Sequence, residues 1–332
     1  MAERTTLTYD DALALATRTC LAAGADAQTT ASLVEATLSA HRHGRHEVGL
    51  PHLVDYLAAL KAGRLNGRSS PRLSQPFPAF LESDADGGIA QLGFDLSLGR
   101  IIEVAKTFGL CLFTQHHSFT TGELGYYVRQ LADQGLISIA FTNAHALMTP
   151  AVGCPAVYST NPMAFGFPLG EGRQPVVIDQ SASATAFVNI IAAARRGEAL
   201  TPGIAVDASG EPTTDAREAL KGALLPFGGR KGANIALMVE LMAAGLAGGA
   251  WSSEAKGFQD GDERLNSALT VIALMPGSDP EERLRRGAEH VAFLKGVGIH
   301  VPGQKTLADE GAGITLDTAV LEDLRSYLAA QR

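Results

Sequence analysis

Histidines are concentrated in one short stretch of this chain. His41, His43, His46 and His52 are four of its nine histidines, and they lie in the segment AHRHGRHEVGLPHL at positions 40–53. Imidazole groups bind metal ions or exchange protons near neutral pH. A zinc-binding helix usually carries two histidines four residues apart, whereas the first three histidines here are spaced by two and three. The stretch therefore predicts no metal site. It is either a proton-transfer loop or a set of solvated residues at a helix end.

A second candidate is the segment PFGGRKGAN at positions 226–234. Its two glycines precede Arg230 and Lys231, which are predicted to lie at the N-terminus of a helix. Free backbone N–H groups and two cations at such a place can bind a phosphate or a carboxylate. The spacing differs from that of a Walker A loop, and no serine or threonine follows the lysine. The alternative is a tight turn with two solvated cations.

Polar residues also follow two apolar segments. Asp179 ends the run VVID and precedes small hydroxyl residues. A carboxylate at a strand end can orient a histidine or a substrate water, but it can equally cap the next helix. In YSTNPMAFGFP, Thr160 and Asn161 offer side-chain hydrogen bonds in a turn fixed by Pro162. The alternative there is an ordinary Asn-Pro turn.

Helices and short strands must position these residues. Three consecutive amphipathic patterns, TYDDALALATRTCLAAG, TTASLVEATLSAHRHG and PHLVDYLAALKAG, predict three opening helices. Later helices alternate with apolar strands such as GLCLFTQ and LISIAFTN, which is typical of an α/β layer structure. No GxGxxG follows a strand, so a Rossmann nucleotide site is not indicated. The segment GANIALMVELMAAGLAGG is nearly all apolar and is predicted to be a helix buried on most sides.

The composition is that of an ordinary globular protein. The chain has 332 residues, 46% of them hydrophobic, and a net charge of −8. Without a dense basic run, we predict no nucleic-acid partner. Three widely spaced cysteines fit a reducing compartment. The N-terminus lacks an apolar signal region, and the longest apolar stretch is broken by Glu240 and by glycines. We therefore expect a cytoplasmic protein without a membrane partner.

Several segments, taken in order, resemble the malate/L-lactate dehydrogenase type-2 family over nearly the whole chain. They are LISIAFTN, TNPMAFGFP, VVIDQSAS, DASGEPTTDA and GALLPFGGRKGANIALMVELMAAGLAGG. The last is the most specific, and is similar to the Δ1-piperideine-2-carboxylate and Δ1-pyrroline-2-carboxylate reductases of that family. The resemblance implies a non-Rossmann α/β fold with N-terminal helices and a central mixed sheet, a homodimer, and hydride transfer from NADH or NADPH. Family substrates are 2-oxo acids, 2-hydroxy acids and cyclic imino acids, all of them small carboxylates.

The expected organisation has three parts. Residues 1–72 form a helical segment that contributes to the active site. Residues 73–225 form an α/β region that binds nucleotide and substrate. Residues 226–332 hold the apolar helix, a late strand and C-terminal helices that pack back on the core.

The resemblance also implies roles for single positions. Asp179 matches the aspartate that orients a catalytic histidine, and Thr160 matches a threonine that contacts substrate. The implied cofactor-binding positions are His46, Thr120, Thr121, Gly122, Glu123, Leu124, Asn161, Arg230, Lys231, His300, Pro302 and Gly303.

The histidine-rich stretch departs from the family pattern. Members usually have Ser-His-Gly there, and that histidine protonates the product. Aligned on Gly49, this chain has Glu47 and Val48 before the glycine, and His52 stands where an arginine often grips the substrate carboxylate. Three proton sources stay open: His46 after a small loop shift, Glu47, or none, because a cyclic imine is often already protonated.

Three functions follow as hypotheses. The first is an NAD(P)H-dependent reductase of a small cyclic imino acid. The second is a dehydrogenase of 2-oxo and 2-hydroxy acids of the malate, lactate or sulfolactate type. The third is a nucleotide-binding homologue whose catalysis is altered or lost, for which Val48 is the reason.

Overall fold

The computed structural model describes residues 3–258, 264–303 and 313–329. Its N-terminal layer consists of a short strand and three helices: β1 (Arg4–Leu7), α1 (Tyr9–Ala23), α2 (Ala27–Arg42) and α3 (Leu50–Lys61). The side chains of Thr8 and Asp26 cap α1 and α2 by accepting hydrogen bonds from backbone N–H groups three residues on. The three opening helices expected from the sequence are confirmed.

The end of the chain returns to this layer. Strand β11 (Ile314–Asp317) pairs antiparallel with β1, and α10 (Thr318–Ala329) packs on α1 and α3. Leu324 of α10 joins Leu33, Leu53 and Tyr56 in one buried apolar core. The loop that carries the histidines is therefore anchored by helices from both ends of the sequence.

A seven-stranded mixed sheet forms the centre of the molecule. Among the strand pairs described in this sheet, β3–β4 alone is parallel. In spatial order the strands are β2 (Arg72–Phe77), β3 (Phe80–Asp84), β4 (Leu110–Ser118), β10 (Ser267–Leu274), β5 (Ile137–Thr142), β6 (Met163–Phe167) and β7 (Val176–Gln180). The predicted α/β fold with a central mixed sheet is confirmed. Because β10 lies between β4 and β5, the sheet combines strands from the second and third predicted parts of the chain.

Helices cover the sheet and a smaller unit adjoins it. Helices α4 (Ala90–Phe108) and α5 (Gly125–Ala132) pack on the sheet around a core that includes Phe94, Phe113 and Tyr127. The smaller unit contains α6 (Phe187–Arg196), β8 (Ala205–Val206), α7 (Ala216–Ala219) and β9 (Ala223–Leu224), and α9 (Pro280–Gly296) follows β10. Within the described ranges, no helix combines the length and apolar character needed to span a bilayer.

One prediction about burial is wrong. The apolar segment forms α8 (Arg230–Glu240), continued by a π-helical turn over Leu241–Gly245. Its small residues and Val239 face inward, whereas several large apolar side chains are exposed. Leu237, Met238, Leu241 and Leu246 are each between 39% and 52% exposed. Alanine and glycine allow close packing on the inner side, which leaves the bulky residues on the outer side of this single chain.

Candidate active site

The chain between α2 and α3 forms one wall of the candidate site. After Arg42 it makes a single 3-10 turn, His46–Val48, before α3 begins. His41 is buried, and its ring centroid lies 4.4 Å from that of exposed His46. Burial, followed by the charge of His46, lowers the pKa of His41 to about 4, so this imidazole is neutral near pH 7. Its Nδ1 has no hydrogen-bond partner among the described residues. A Cβ at Gly49 would lie only 3.2 Å from that nitrogen.

Beside this wall is a cleft of about 1110 Å³. The loop after α2, helix α5, strand β7 and the turn before β7 enclose it. A large concave site with a few convergent polar groups is where small ligands usually bind. Among the residues that line the cleft are Arg45, His46, Glu123, Arg173, Asp179 and His300.

Asp179 lies near the end of β7, with its carboxylate at the N-terminus of α5. The Gly125 N–H donates a 2.8 Å hydrogen bond to Oδ2 of Asp179, and the Arg45 guanidinium donates to the Asp179 carbonyl oxygen at 2.6 Å. Burial, followed by the charge of Glu123, raises the pKa of Asp179 to about 6 in spite of these contacts. The carboxyl group therefore titrates close to neutral pH, as groups at functional sites often do.

Glu123 and Arg129 form a buried ion pair in the same wall. Both terminal nitrogens of the Arg129 guanidinium donate to the Glu123 carboxylate, Nη1 at 2.9 Å. This pair is well shielded from water, so removing either partner would leave an uncompensated charge. Glu123 lines the cleft as a predicted cofactor-loop residue, but its carboxylate is already occupied by Arg129.

The segment around His300 completes the cleft. β7 is an edge strand of the sheet, and its Val177 N–H donates to the carbonyl of Pro302 at 3.3 Å. Gly303 has φ 79°, and a Cβ there would lie 2.5 Å from the Val177 nitrogen. Only glycine permits this close approach. The structure thus brings His300, Pro302 and Gly303 to the cleft that also holds His46 and Asp179.

Glu47 lies on the other side of the histidine loop. It lines a separate pocket of about 470 Å³ together with Pro51, Thr315 and Val320. His41 and His46 line both this pocket and the main cleft. Of the two predicted acids in the loop, His46 therefore shares the main cleft with Asp179, whereas Glu47 does not line it.

His52 belongs to a network within the N-terminal layer. Its Nδ1 lies 2.9 Å from Oδ2 of Asp55, and its Nε2 lies 3.0 Å from Oγ1 of Thr120. Thr120 Oγ1 in turn donates to the Tyr56 hydroxyl at 2.6 Å, and that hydroxyl also accepts from Gln91 Nε2. Both ring nitrogens of His52 are thus engaged inside the protein. This geometry argues against the predicted contacts of His52 with substrate and of the Thr120 side chain with cofactor.

The rest of the predicted cofactor loop turns inward. The carbonyl of Thr121 accepts hydrogen bonds from Gln91 Nε2 and the Tyr127 hydroxyl. Gly122 has φ 65°, and the side chain of Leu124 is buried. Of the loop residues 120–124, Glu123 alone lines the main cleft.

Thr160 and Asn161 lie outside the residues that line the cleft. The carbonyl of Thr160 accepts from the Ala182 N–H, just after β7. The Asn161 amide nitrogen donates to the Ala236 carbonyl and, at 2.8 Å, to Glu240 Oε2, while its oxygen accepts from Ser159. Asn161 is fully buried. Its side chain therefore ties the Asn-Pro turn to α8 and has no free group for a cofactor.

Arg230 and Lys231 lie exposed at the start of α8, also outside the main cleft. Gly228 and Gly229 precede them with φ 56° and 60°, and a Cβ at Gly232 would lie 2.1 Å from the carbonyl oxygen of Phe227. The glycines thus build the turn that the sequence predicted. Its cations face solvent, where they remain candidates for an anionic group.

Sequence reasoning missed two parts of the cleft. The sequence does not indicate that Arg129 forms an ion pair, because its partner Glu123 is recognisable only once α5 is folded. The turn Gly172–Pro175, with Arg173, lies at the cleft entrance next to β7. The segment 170–175 that contains it, GEGRQP, is a glycine turn with one cation and could have been compared with the later GGRKG turn.

Comparison with known proteins supports the family resemblance. Residues 7–325 match the sequence profile of the malate/L-lactate dehydrogenase family. The Δ1-pyrroline-2-carboxylate reductase of Pseudomonas fluorescens is 32% identical over 99% of this chain and 100% of its own. The (2R)-3-sulfolactate dehydrogenase (NADP⁺) of Chromohalobacter salexigens is 33% identical over 92% of each chain.

Solved structures agree with the sequence comparisons. The Δ1-piperideine-2-carboxylate reductase of Pseudomonas syringae pathovar tomato superposes with a TM-score of 0.88. It is 32% identical, and the match covers 97% of this chain and 99% of that one. The similarity therefore extends over the helical layer, the sheet and the cleft, and is not confined to one motif.

Proposed function

The chain belongs to the malate/L-lactate dehydrogenase family, and we propose that within it this protein is an NAD(P)H-dependent reductase of a small cyclic imino acid. The proposed substrates are Δ1-pyrroline-2-carboxylate and Δ1-piperideine-2-carboxylate, which the names of two relatives contain. The observation that carries the proposal is the cleft that brings His46, Asp179 and His300 together. Family membership alone establishes an oxidoreductase.

The cleft has the groups that a dinucleotide requires. Arg45, Arg173 and His300 place cationic or hydrogen-bonding side chains along its walls, which suits a pyrophosphate. Strand β7 and the segment 300–303 also line this part of the cleft. When bound, the reduced nicotinamide supplies the hydride. The sequence and the cleft leave NADPH and NADH both open, although the sulfolactate relative is named for NADP⁺.

His46 is the proposed proton-transfer residue. It is exposed to the cleft and makes a ring contact with His41, whose imidazole is kept neutral by burial. The two rings therefore differ in their access to the cleft, and His46 is the more exposed of the pair. Ionised Asp179 supplies the negative charge toward which a cationic imidazole or iminium group is drawn. Glu47 is the weaker candidate because it lines the neighbouring pocket.

The runner-up is reduction of a 2-oxo acid, or oxidation of the matching 2-hydroxy acid. The sulfolactate relative favours it, since that protein is as similar to this chain as the imine reductases are. A ketone demands a strong proton donor at the developing alkoxide oxygen. A cyclic imine demands a donor only for the fraction that binds unprotonated on nitrogen, because an iminium becomes a neutral amine when its carbon accepts the hydride. The two reactions therefore differ in how much they require of His46.

Consumption of reduced nicotinamide with each substrate tests the proposal. NADPH and NADH are each combined with Δ1-pyrroline-2-carboxylate, Δ1-piperideine-2-carboxylate and pyruvate. Turnover of the imines in preference to pyruvate is expected. Preference for pyruvate would replace the imine proposal by the runner-up. Nucleotide binding without turnover of any substrate would favour a homologue with altered or lost catalysis.

We also propose that the protein is a homodimer through the outer face of α8. Leu237, Met238 and Leu241 form an exposed apolar patch, and Trp251 packs beside Leu241 across Gly245. Such patches on a soluble chain usually mark an interface. Light scattering should give a dimer mass for wild type and a monomer mass for Leu241→Glu. Leu96→Glu, a change at an equally exposed leucine of α4, is the matched control and should stay dimeric.

A cytoplasmic location is proposed as well. Cys20, Cys111 and Cys154 are all free thiols, the first two buried. Free thiols are typical of proteins kept in a reducing compartment.

A further inference from the structure

Two histidines and an aspartate meet at one edge of the sheet, outside the main cleft. Asp84 ends β3, and His116 is its direct partner on the parallel neighbour β4. His117 follows on the same strand. Asp84 lies 32 positions before His116 in the sequence, and the two histidines are adjacent, so sequence spacing alone gave no sign that the carboxylate joins them.

The backbone at His117 brings the two imidazoles to the same side. Successive side chains of a strand normally point to opposite faces. His117 has φ 54°, a left-handed conformation that residues other than glycine seldom adopt. The ring centroids of His116 and His117 are consequently only 4.5 Å apart. The His117 N–H donates to Asn266 Oδ1 at 2.6 Å, and its carbonyl accepts from the Gly87 N–H at 3.0 Å, which fixes this conformation.

The ligating atoms are close to the geometry of a metal site. One nitrogen of each histidine and one oxygen of Asp84 all lie within 4.8 Å of one another. The distance from His117 Nδ1 to Asp84 Oδ1 is 3.2 Å. Two ligands bonded at about 2.0 Å to tetrahedral zinc are about 3.3 Å apart, so this pair needs almost no movement. The His116 nitrogen, which lies within 4.8 Å of both atoms, must approach them by up to about 1.5 Å to reach that separation.

The ligands are also chemically available. Within the described ranges the His116 side chain makes no hydrogen bond that would compete for its nitrogens. Arg72 donates to Oδ2 of Asp84 at 2.7 Å. Oδ1 accepts from the Asp86 N–H at 2.9 Å and also lies beside His117 Nδ1, so its second lone pair can serve the ion.

We propose that Asp84, His116 and His117 bind one divalent transition ion of the zinc class, with water in the remaining position. A site with two imidazoles and one carboxylate binds such ions in preference to calcium or magnesium, which prefer oxygen ligands alone. The ion would join β3 to β4 immediately before the loop 118–124. It would act there as a cross-link, and the proposal is independent of the reaction in the main cleft.

Zinc titration of the full-length, tag-free protein after chelator treatment tests this site. Calorimetry should show that wild type binds one more zinc ion tightly per chain than His116→Gln or His117→Asn does. In both variants the zinc affinity of this site should fall about tenfold or more. Asparagine tolerates the left-handed backbone, and the His116 side chain has no hydrogen bond to a described residue that could be lost, so both variants should melt as wild type does without zinc. His290→Gln, which removes an exposed histidine of α9, is the control and should bind like wild type.

Cobalt substitution supplies a readout that is independent of affinity. Co²⁺ bound by two imidazoles and a carboxylate should give visible d–d absorption that is lost in His116→Gln and kept in His290→Gln. Zinc uptake that is equal in wild type and both ligand variants would overturn the proposal, because the ion would then be elsewhere. Absence of a tight equivalent in wild type would overturn it equally.

Discussion

The two ends of the histidine-rich stretch differ in how their polar groups are satisfied. At the His52 end, both ring nitrogens lie within 3.0 Å of a partner, and Thr120 and Tyr56 continue the network. At the His46 end, the rings of His41 and His46 touch each other and line open space. His41 Nδ1 is buried and unpartnered among the described residues.

This difference distinguishes polar groups that stabilise the fold from polar groups that are available to a ligand. A polar group whose hydrogen bonds are all made inside the fold mainly stabilises it. A polar group left without partners costs stability and persists where it serves a ligand. The same sequence pattern, a histidine near a helix end, therefore has opposite meanings at positions six residues apart. The predictions below would break or sharpen this distinction.

The largest effect is expected for His46→Gln. If His46 transfers the proton, kcat for the preferred substrate should fall by about 10²-fold or more, while nicotinamide binding changes little. His52→Gln is the paired variant from the other end. It should lower the melting temperature and leave kcat close to that of wild type. Steady-state kinetics and thermal denaturation of both variants test this. A kcat loss in His52→Gln with a stability loss in His46→Gln would contradict the distinction.

Asp179→Asn should lower activity and raise stability together. Because the folded-state pKa is raised from 3.8 to about 6, the stabilising contribution of this group is complete below about pH 4. It is lost as the pH rises through about 6. Asparagine still accepts from the Gly125 N–H but carries no charge. At pH 8 the variant should therefore be more stable than wild type by about 3 kcal/mol, and at pH 4 the difference should vanish. Urea unfolding at both pH values measures it.

The activity of Asp179→Asn supplies the other half of that test. A fall in kcat together with a gain in stability at pH 8 would mark Asp179 as a residue retained for function. A loss of stability at both pH values would instead mean that the carboxylate serves the fold, as the His52 network does.

Thr120→Val tests the network at the His52 end. Valine has the shape of threonine but removes the acceptor for His52 and the donor to Tyr56. The free energy of unfolding should fall by about 1–3 kcal/mol, with KM for nicotinamide unchanged. Thr107→Val, on the exposed side of α4, is the control. A raised KM for the cofactor with unchanged stability would instead restore the role that the family resemblance implied.

Much of the fold was predictable because local sequence patterns determine it. Helix caps such as Thr8 and Asp26, and the apolar periodicity of the opening helices, act over a few residues. The position of β10 between β4 and β5 is a long-range pairing that no local pattern encodes. The exposed outer face of α8 escaped prediction because an apolar run does not say which of its sides meets the same chain.

In the candidate site, too, local sequence motifs were predictable and long-range contacts were not. Asp179, His300 and Gly303 were found because the family motifs around them are continuous in sequence. The engagement of Asn161 by Glu240, and of Glu123 by Arg129, depends on partners brought together only by folding. A motif therefore identified which residues are near the site, and the hydrogen bonds decided which of them have a free group to offer.

The smallest effect expected is a shift in the pH–rate profile. Substitutions of Glu123 and of Arg45, two neighbours of Asp179, should shift it in opposite directions. If the ionised carboxylate is required, kcat should fall on the acid side as the pH drops through about 6. The charge of Glu123 raises the pKa of Asp179 and that of Arg45 lowers it. Glu123→Gln should therefore move the acid limb to lower pH, and Arg45→Gln should move it to higher pH. Each glutamine removes a charge and keeps a polar side chain. Profiles measured at saturating cofactor that move in the same direction, or not at all, would show that the limb belongs to another group.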